Sequence, residues 1–374
     1  MDSKMIYDIW LSSLTNVSNI KKNTLLTVYE TAENIYKASA SDLQRTGLLR
    51  EKDIQKIQDQ KSMALAERAA RFIEKNNIFC FPKNSLHYPS RLEKIYNPPV
   101  MLYAMGNVGL LERDLTVGMV GSRKSSLEAR KTARQFGGRF SEMGITVVSG
   151  MADGVDSAAA EGALCGIGST VAVFGSGIDV CYPAGNRNLY ERIREKGLLL
   201  SEFFIGQPPK SGHFPLRNRI IAGLSDGVVV VEARLKSGAL ITADCALEQG
   251  KTVYAMPQSI NVKSAVGSNQ LLKEGAKLVT EPEDVLEDFI EIKDIQKIKP
   301  APPEKSQESV RSEKNVSLSE DEKTILDAVK AGVNTVDGLV QRLDEPIAKL
   351  NAALMMMEIK QMLKVSYGQI TLLF

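Results

Sequence analysis

Hydrophobic residues follow two different spacings along the chain, and the change between them divides it into regions. From residue 1 to about residue 80 they recur every three or four positions with little glycine, a pattern typical of amphipathic helices. Between residues 115 and 290, short apolar runs alternate with amphipathic segments such as SSLEARKTARQFGGRFSEMG. Continuous apolar strands that alternate with helices predict a parallel sheet covered on both faces, a doubly wound α/β fold.

The apolar runs that we interpret as strands are rich in valine, isoleucine or leucine. They are VGMVG, ITVVSG, TVAVFG, GLLLSE, GVVVVEA and TVYAMP. Before them, a connector at 88–106 contains two adjacent prolines, which force extended backbone ahead of another short strand. In the N-terminal region, Gly47 interrupts SDLQRTGLLREKDIQKIQ and predicts a break between two helices. This unit is either a helix-hairpin-helix DNA module or, as we favour from its balanced charges, a structural or partner-binding bundle.

The C-terminal part of the chain changes composition twice. Residues 291–317 are rich in proline, serine and charge with few large apolar residues, which predicts a flexible linker. After it, DEKTILDAVK, TVDGLVQRL and EPIAKLNAALMMMEIK predict three helices, followed by two short strands around Ser366-Tyr367-Gly368. This order is typical of a helix–turn–helix with a wing. We therefore expect a helical domain at 1–80, an α/β domain at 81–290, the linker, and a winged-helix domain at 318–374.

The charge balance limits how the protein can bind nucleic acid. Lys and Arg total 47 against 45 Asp and Glu, a net charge of +2, so any basic site must be a local patch. The four cysteines are dispersed without a CxxC pair and only two histidines occur, so we expect neither disulfides nor a metal site. The first residues lack the apolar stretch of a signal peptide, and no run is long enough to span a membrane. We therefore expect a soluble cytoplasmic protein.

Glycine-rich turns follow several of the predicted strands. They are Gly121-Ser122-Arg123, the SGMADGVD segment at 149–156, Gly175-Ser176-Gly177, and Lys236-Ser237-Gly238-Ala239. Because ligands of open α/β sheets bind beyond the carboxyl ends of the strands, these turns should lie together at one edge. Glycine lets backbone N–H groups approach a ligand, and the helix that follows adds partial positive charge. Tight strand-to-helix geometry explains each turn alone, whereas the whole group predicts a phosphate site.

The stretch FPLRNRIIAG (214–223) carries two arginines without a carboxylate beside them. We predict that the first turns of a helix present Arg217 and Asn218 to the same edge of the sheet. Arg123 and Arg219 should lie on the solvated rim of that edge. Phe214 or Tyr182 offers a platform for base stacking, although core packing is the interpretation that we favour for both aromatic residues.

No catalytic set is recognisable in the sequence. The first strand is not followed by GxGxxG, and Gly250-Lys251-Thr252 fails as a Walker A motif because Cys245 stands where the motif needs glycine. For His213 we favour a helix-entry role over general acid–base catalysis. Asp153 and Asp156 are expected to be helix N-caps. We therefore expect no enzyme, no catalytic residue, no cofactor and no metal, and a polymer phosphate backbone as the ligand.

Several motifs together resemble the DprA/Smf (DNA-processing protein A) family. They are GMVGSR, SGMADGVD, GSTVAVFGSGIDVCYPAGNRNLY, LLLSEF, FPLRNRIIAGLSDGVVVVEA, SGALITADCALEQGKTVYAMP and GSNQLLKEGAKLV, with PSRLEKIYNPPVMLYAMG leading into them. The resemblance covers the α/β region almost continuously. It implies an extended Rossmann-like fold flanked by sterile-alpha-motif-like and winged-helix domains. It also implies a homodimer that binds and protects single-stranded DNA and loads the RecA recombinase onto it during natural transformation.

The DNA-binding residues of the family carry over onto matching positions of this sequence. They are Gly121, Ser122, Arg123, Arg217, Asn218 and Arg219, with Gly150, Gly154, Gly175, Gly177, Ser237 and Gly238 in the surrounding loops. Phe214 joins them as the stacking candidate. The sequence departs from the family at Ala159-Ala160, where Ala-His is common, and at Met256-Pro257-Gln258, where Val-Pro-Gly is common.

Two other functions compete with this interpretation. A lysine-decarboxylase-like phosphoribohydrolase would share the Rossmann-like core, but its PGGxGTxxE signature would fall where this chain has EARLKSGALITA. A winged-helix transcription regulator would read DNA with EPIAKLNAALMMMEIK, which offers only Lys349 and Asn351 near its start for groove contacts. Met355–Met357 fit core packing or a protein contact, so we expect this domain to contact protein, or duplex DNA weakly.

Overall fold

The computed structural model describes residues 4–289, 319–330, 333–343, 345, 347–359, 362–366 and 369–372. The chain divides into two units, Met1–Lys299 and Pro300–Phe374, and each is described by itself. The linker predicted at 291–317 lies outside the described residues. Among the described helices, none is both long and apolar enough to cross a lipid bilayer.

Helices alone form the start of the first unit. They are α1 (Met5–Ser13), α2 (Asn19–Tyr29), α3 (Ala32–Lys37), α4 (Ala40–Arg45), α5 (Glu51–Asp59) and α6 (Ala64–Lys75). Their apolar faces pack around Trp10, which is 1 % exposed and whose indole N–H donates to the carbonyl of Gln60 at 2.7 Å. Gly47 has a φ of 67° between α4 and α5, a left-handed conformation that glycine adopts without strain. It therefore separates two helices, as predicted.

A mainly parallel sheet occupies the rest of this unit. Its strands are β1 (Phe79–Pro82), β2 (Met101–Gly106), β3 (Thr116–Val120), β4 (Thr146–Ser149), β5 (Thr170–Phe174), β6 (Leu198–Ser201), β7 (Gly227–Val230), β8 (Thr252–Ala255) and β9 (Lys277–Leu278), in the spatial order β1-β2-β6-β5-β4-β3-β7-β8-β9. The helices are α7 (Ser90–Glu93), α8 (Leu127–Glu142), α9 (Val155–Ala163), α10 (Arg187–Lys196), α11 (His213–Leu224), α12 (Gly238–Glu248), α13 (Val266–Lys273) and α14 (Glu283–Leu286). All pairings from β6 across to β9 are parallel, and the strand order reverses between β3 and β7. A crevice at this reversal is where doubly wound folds bind ligands.

Alternate residues of the central strands face opposite layers of helices. On β7, Val228 and Val230 pack with the apolar faces of α11 and α12, whereas Val229 packs with α8 and α9. Because both sheet faces are covered, these strands are apolar along their whole length. The doubly wound, mainly parallel α/β fold that the sequence predicts is confirmed.

The antiparallel edge of the sheet differs from the prediction. β1 begins inside the region predicted to be helical up to about residue 80, and it pairs with β2. At 4 residues, β1 is too short to show a strand period in the sequence. β2 is the strand predicted after the adjacent prolines, and it joins the main sheet through β6. The hydroxyl groups of Tyr103 on β2 and Ser12 on α1 form a hydrogen bond, so β2 also anchors the helical region.

The second unit has the elements predicted for the tail. They are α15 (Glu320–Lys330), α16 (Val336–Leu343), α17 (Ile347–Ile359) and a hairpin of β10 (Leu363–Ser366) with β11 (Gln369–Leu372). On α17, Met357 is buried, whereas Met355 and Met356 are 65 % and 49 % exposed. One methionine therefore belongs to the core of this unit, and two lie on its surface.

Candidate nucleic-acid interface

A cavity of about 560 Å³ opens beyond the carboxyl ends of β3 and β7, at the reversal of strand order. We call it the strand-end cavity. Its walls include the predicted residues Gly121, Ser122, Arg123, Phe214, Arg217, Asn218, Ser237 and Gly238. Gly150 and Gly175 line a smaller cavity that shares Arg123, Phe214 and Arg217 with it. Gly154, Gly177 and Arg219 line neither cavity. The structure therefore brings most of the predicted site residues together.

An exposed cation and two aromatic rings form one wall of the strand-end cavity. The Arg123 guanidinium carbon lies 5.0 Å from the centroid of the Phe214 ring, a cation–π arrangement. The Tyr182 ring lies 5.5 Å from that of Phe214, with 38° between the planes. Tyr182 is 40 % exposed and Phe214 is half-buried, so the favoured prediction of core packing is wrong for Tyr182. At Gly175, an added Cβ would lie 2.9 Å from the Phe214 ring, so this glycine permits the ring's position.

Arg217 lies behind this wall and is buried. Its Nη1 group donates to the carbonyls of Gly150, at 3.0 Å, and of Val173, so it ties the ends of β4 and β5 together. Its Nε group donates to the Asn218 side chain at 3.2 Å. Burial lowers the pKa of Arg217 to about 10, and the carboxylate of Asp156 opposes that shift. Arg217 therefore adds a fixed positive charge to the cavity from within the protein.

Asp156 does not cap a helix, contrary to the prediction for it and for Asp153. Helix α9 has Gly154 at its N-cap, with a φ of 86°. The Asp156 carboxylate instead accepts the backbone N–H groups of Gly150, at 3.2 Å, and Ala152, at 3.4 Å, so it closes the loop before the helix. Burial raises the pKa of Asp156, while Arg217 opposes that shift.

Arg219 does not lie on the solvated rim, and this part of the prediction is wrong. It is 8 % exposed, and its Nη1 and Nη2 groups each donate to a carboxylate oxygen of Glu202 at 2.7 Å. Its Nε group donates to the carbonyl of Asn97 at 3.0 Å. The absence of a carboxylate within FPLRNRIIAG was a misleading signal, because the carboxylate that pairs with Arg219 is that of Glu202, directly after β6.

One residue that the sequence analysis did not single out holds the cavity in shape. Glu232, fully buried after β7, accepts the Ser126 hydroxyl at 2.6 Å, and its carbonyl accepts the Ser122 N–H at 2.7 Å. It thereby fixes the loop that carries Arg123. His213 is the first residue of α11, as predicted, and its ring lies 4.2 Å from that of Phe203. A carboxylate at the end of the apolar run GVVVVEA was the available signal for Glu232.

No cluster of His, Cys, Asp or Glu able to hold a metal ion occurs among the residues that the structure describes. The N-terminus of α12 faces the strand-end cavity without a side-chain cap, and the buried Ser237 hydroxyl there has no hydrogen-bond partner among the described residues. Free backbone N–H groups and a helix dipole at this position favour an anion.

Two family profiles match most of the chain. That of DNA recombination-mediator protein A matches residues 79–290, and that of the DprA winged helix domain matches residues 300–369. The chain belongs to the DprA/Smf family. The resemblance carried by the sequence motifs is therefore confirmed, as is the C-terminal winged-helix domain.

Relatives of this DprA-family protein include two bacterial proteins. DNA processing protein DprA of Streptococcus pneumoniae is 45 % identical over 203 residues, which cover 54 % of this chain and 71 % of the relative. Protein Smf of Escherichia coli is 37 % identical over 284 residues, which cover 75 % of each chain. The similarity thus extends beyond the site to most of the first unit.

Two solved structures of the family also match. The X-ray structure of DprA from Streptococcus pneumoniae matches with a TM-score of 0.66 at 35 % identity, covering 76 % of this chain and 97 % of that one. DNA processing protein A from Helicobacter pylori, whose structure is described as giving insight into its single-stranded DNA binding mode, matches with a TM-score of 0.52. That match has 28 % identity and covers 57 % of this chain and 96 % of the other.

The two departures from the family pattern lie outside the walls of the strand-end cavity. Ala159 and Ala160 are 0 % and 1 % exposed within the apolar packing of α9. The side-chain amide of Gln258 donates to the Val231 carbonyl at 3.0 Å. The backbone N–H of Gln258 donates to the side-chain oxygen of Asn269 at 3.0 Å. Gln258 therefore holds its own loop against the end of β7.

Proposed function

We propose that this protein binds single-stranded DNA in the strand-end cavity and acts as a recombination mediator. The observation that carries the proposal is the exposed Arg123 guanidinium 5.0 Å from the Phe214 ring, in a cavity at the reversal of strand order. A guanidinium group binds a phosphate, and an accessible aromatic ring stacks on a base. A single DNA strand presents both phosphates and unpaired bases along its length. Family membership supports the proposal, as does the binding mode described for the Helicobacter pylori relative.

The proposed contacts divide into direct and supporting ones. Direct contacts are assigned to Gly121, Ser122, Arg123, Phe214, Ser237 and Gly238. Arg217 adds positive charge from behind, and the Asn218 amide donates to the Gly238 carbonyl at 3.0 Å, which joins α11 to α12. Gly150, Gly154, Gly175 and Gly177 shape the loops: at Gly154, an added Cβ would lie 2.3 Å from the Ser122 carbonyl oxygen. Arg219 is removed from the DNA-contacting set.

A single strand fits this site better than a duplex because paired bases cannot leave their stack to reach Phe214. We therefore expect labelled single-stranded oligonucleotides to bind more tightly than duplexes of the same sequence. Affinity should fall as salt rises, since phosphate contacts release counterions. Fluorescence anisotropy titrations at two salt concentrations test both points. Equal affinity for the two forms, or affinity independent of salt, would contradict the proposal.

We propose further that the protein acts without catalysis. Asp156, the acidic residue in the described wall of the cavity, already binds two backbone N–H groups, and the His213 Nδ1 lies 3.0 Å from the Gly175 carbonyl oxygen. These contacts hold both groups in the protein rather than against a ligand. Steady release of phosphate or of free base from a nucleoside monophosphate would overturn this proposal and favour a phosphoribohydrolase.

We propose that a homodimer in the cytoplasm delivers the bound strand to RecA. Family membership is the support for this step. Analytical ultracentrifugation should give a dimer, and the protein should speed the formation of RecA filaments on single-stranded DNA. No effect on RecA from a protein that still binds the strand would overturn the loading step and leave the DNA site in place.

A further inference from the structure

A second cavity, of about 260 Å³, lies where the helical region meets α11 and the loop after β6. We call it the inter-region cavity. Its charged residues are Lys22 on α2, Glu202 after β6 and Arg219 on α11. We propose that this cavity binds a phosphoryl group through the Lys22 ammonium and the N-terminus of α2, as a site separate from the strand-end cavity.

The walls of the inter-region cavity carry an excess positive charge when Lys22 is protonated. Arg219 and Glu202 neutralise each other through two hydrogen bonds of 2.7 Å each. His213 adds no charge at neutral pH, since burial lowers its pKa. The protonated form of Lys22 is therefore left without a carboxylate of its own among the described lining residues, so a bound anion would neutralise it and favour that form.

The Lys22 ammonium has more N–H donors than hydrogen-bond partners among the described residues. Its side chain is buried, with the residue 6 % exposed, and its ammonium donates to the carbonyl of Ser12 at 3.0 Å. That is the hydrogen bond the structure gives this ammonium among its described residues, and a lysine has three N–H donors. Burial lowers the pKa of Lys22 to about 7, and Glu202 opposes that shift. A buried, incompletely paired ammonium gains from a bound anion far more than an exposed one.

Lys251 provides an internal comparison. Its ammonium donates to the carbonyls of Ala222 and Gly223, both at 2.7 Å, and burial lowers its pKa to about 8. It is a half-buried lysine with two partners, and it does not line the inter-region cavity. A ligand of the cavity should therefore affect Lys22 and leave Lys251 unchanged.

The N-terminus of α2 beside this cavity indicates that the anion is a phosphoryl group. Ser18, Asn19 and Ile20 line the cavity beside Lys22, so the first turn of an 11-residue helix borders it. The positive end of a helix with a lysine beside it is an arrangement that holds phosphoryl groups. The cavity volume is also many times the share of one water molecule, about 30 Å³. The phosphoryl group can belong to free phosphate or to a DNA strand that crosses Leu216, which is half exposed on α11.

Competitive labelling of the unmodified full-length protein tests the site. A short pulse of acetic anhydride at neutral pH, followed by peptide mass spectrometry, gives the acetylation rates of Lys22 and Lys251. Inorganic phosphate is compared with sodium chloride at equal ionic strength. At a phosphate concentration ten times the dissociation constant, Lys22 should react about tenfold more slowly, because protection follows 1 + [L]/Kd. Lys251 should not change.

Variants and a second ligand separate the possible outcomes. Arg123→Ala should keep the protection of Lys22 by phosphate even though its DNA binding is weakened, so failure of this site and failure of the DNA proposal are distinguishable. Protection by an oligonucleotide in the wild type assigns the phosphoryl group to the strand, and protection by phosphate alone assigns it to a free ligand. The proposal is overturned if phosphate protects no better than chloride, or if Arg123→Ala abolishes the protection.

Discussion

Arg217 and Arg219 lie two residues apart on α11, yet they line different cavities. At 3.6 residues per turn, two positions rotate a side chain by about 200° around the helix axis. Arg217 therefore reaches the ends of β4 and β5, while Arg219 reaches Glu202 at the border of the helical region. One short motif thus serves both the candidate DNA site and the attachment of the helical region to the sheet.

Arg219→Ala is expected to destabilise the fold. It leaves the Glu202 carboxylate, whose side chain is 9 % exposed, buried without its partner, so the free energy of unfolding should fall by about 3–5 kcal/mol. Urea denaturation measures the loss. The matched variant Arg219→Met with Glu202→Leu should recover much of it, because an apolar pair of similar volume leaves no unpaired charge. An Arg219→Ala protein of normal stability would contradict the structural role assigned to the ion pair.

Arg123→Ala should weaken single-stranded DNA binding equally for all sequences, because phosphate contacts carry no base information. Losing one phosphate contact should flatten the slope of log affinity against log salt by about 0.7. Thermal unfolding should be unchanged, since Arg123 is exposed. Arg192→Ala, which removes another exposed arginine from α10, is the control and should alter neither quantity. An unchanged affinity and slope in Arg123→Ala would mean that the strand runs elsewhere.

Phe214→Leu should also weaken single-stranded DNA binding, but through the loss of base stacking and not of a phosphate contact. Removing a stacking platform costs about 1–3 kcal/mol per base, so affinity should fall while the salt slope stays the same. Anisotropy titrations across a salt series separate this result from that of Arg123→Ala. Phe72→Leu, at a 37 % exposed phenylalanine on α6, is the control for loss of an aromatic ring. A changed salt slope in Phe214→Leu would indicate that the ring acts by orienting Arg123 instead.

Local patterns in the sequence predicted the sheet and the location of the site. Fully apolar runs such as residues 227–231 specify strands buried on both faces, and strands of this kind meet at a common edge. The loops after β3 and β7 therefore had to come together, and Arg123, Ser237 and Gly238 line one cavity. Helix-entry positions such as His213 followed from the same reasoning.

These local patterns could not predict contacts between segments that are distant in the sequence. Glu202 is the partner of Arg219. The two residues meet because the sheet places the end of β6 beside α11, which no local sequence pattern indicates. Asp156 has the type and spacing of a helix cap, yet the left-handed conformation of Gly154 turns its carboxylate back into the preceding loop. Both errors concern where a side chain points, which depends on tertiary packing and not on local propensity.

The pH dependence of stability should reveal a half-buried carboxylate on α1, that of Asp8. Burial raises the pKa of Asp8 to about 6 from its ordinary value of 3.8, so the native state binds a proton more tightly than the unfolded state. Stability is therefore lost as the pH rises from about 4 to about 6, and the cost remains at neutral pH. Asp8→Asn should raise the free energy of unfolding by about 1–3 kcal/mol at pH values near 7.5, at 1.36 kcal/mol per pKa unit. The gain should vanish below about pH 4, where both states are protonated.

Asp53→Asn is the matched control for this measurement and should have the opposite sign. The Lys21 ammonium, hydrogen-bonded to the Asp53 carboxylate, lowers the pKa of that group, so its charge stabilises the native state at neutral pH and the benefit is lost on acidification. Urea denaturation of both variants across the acid range gives the two profiles. If Asp8→Asn showed no gain at neutral pH while Asp53→Asn behaved as expected, Asp8 would have to be solvated in the native protein, and the packing of α1 against the sheet would need revision.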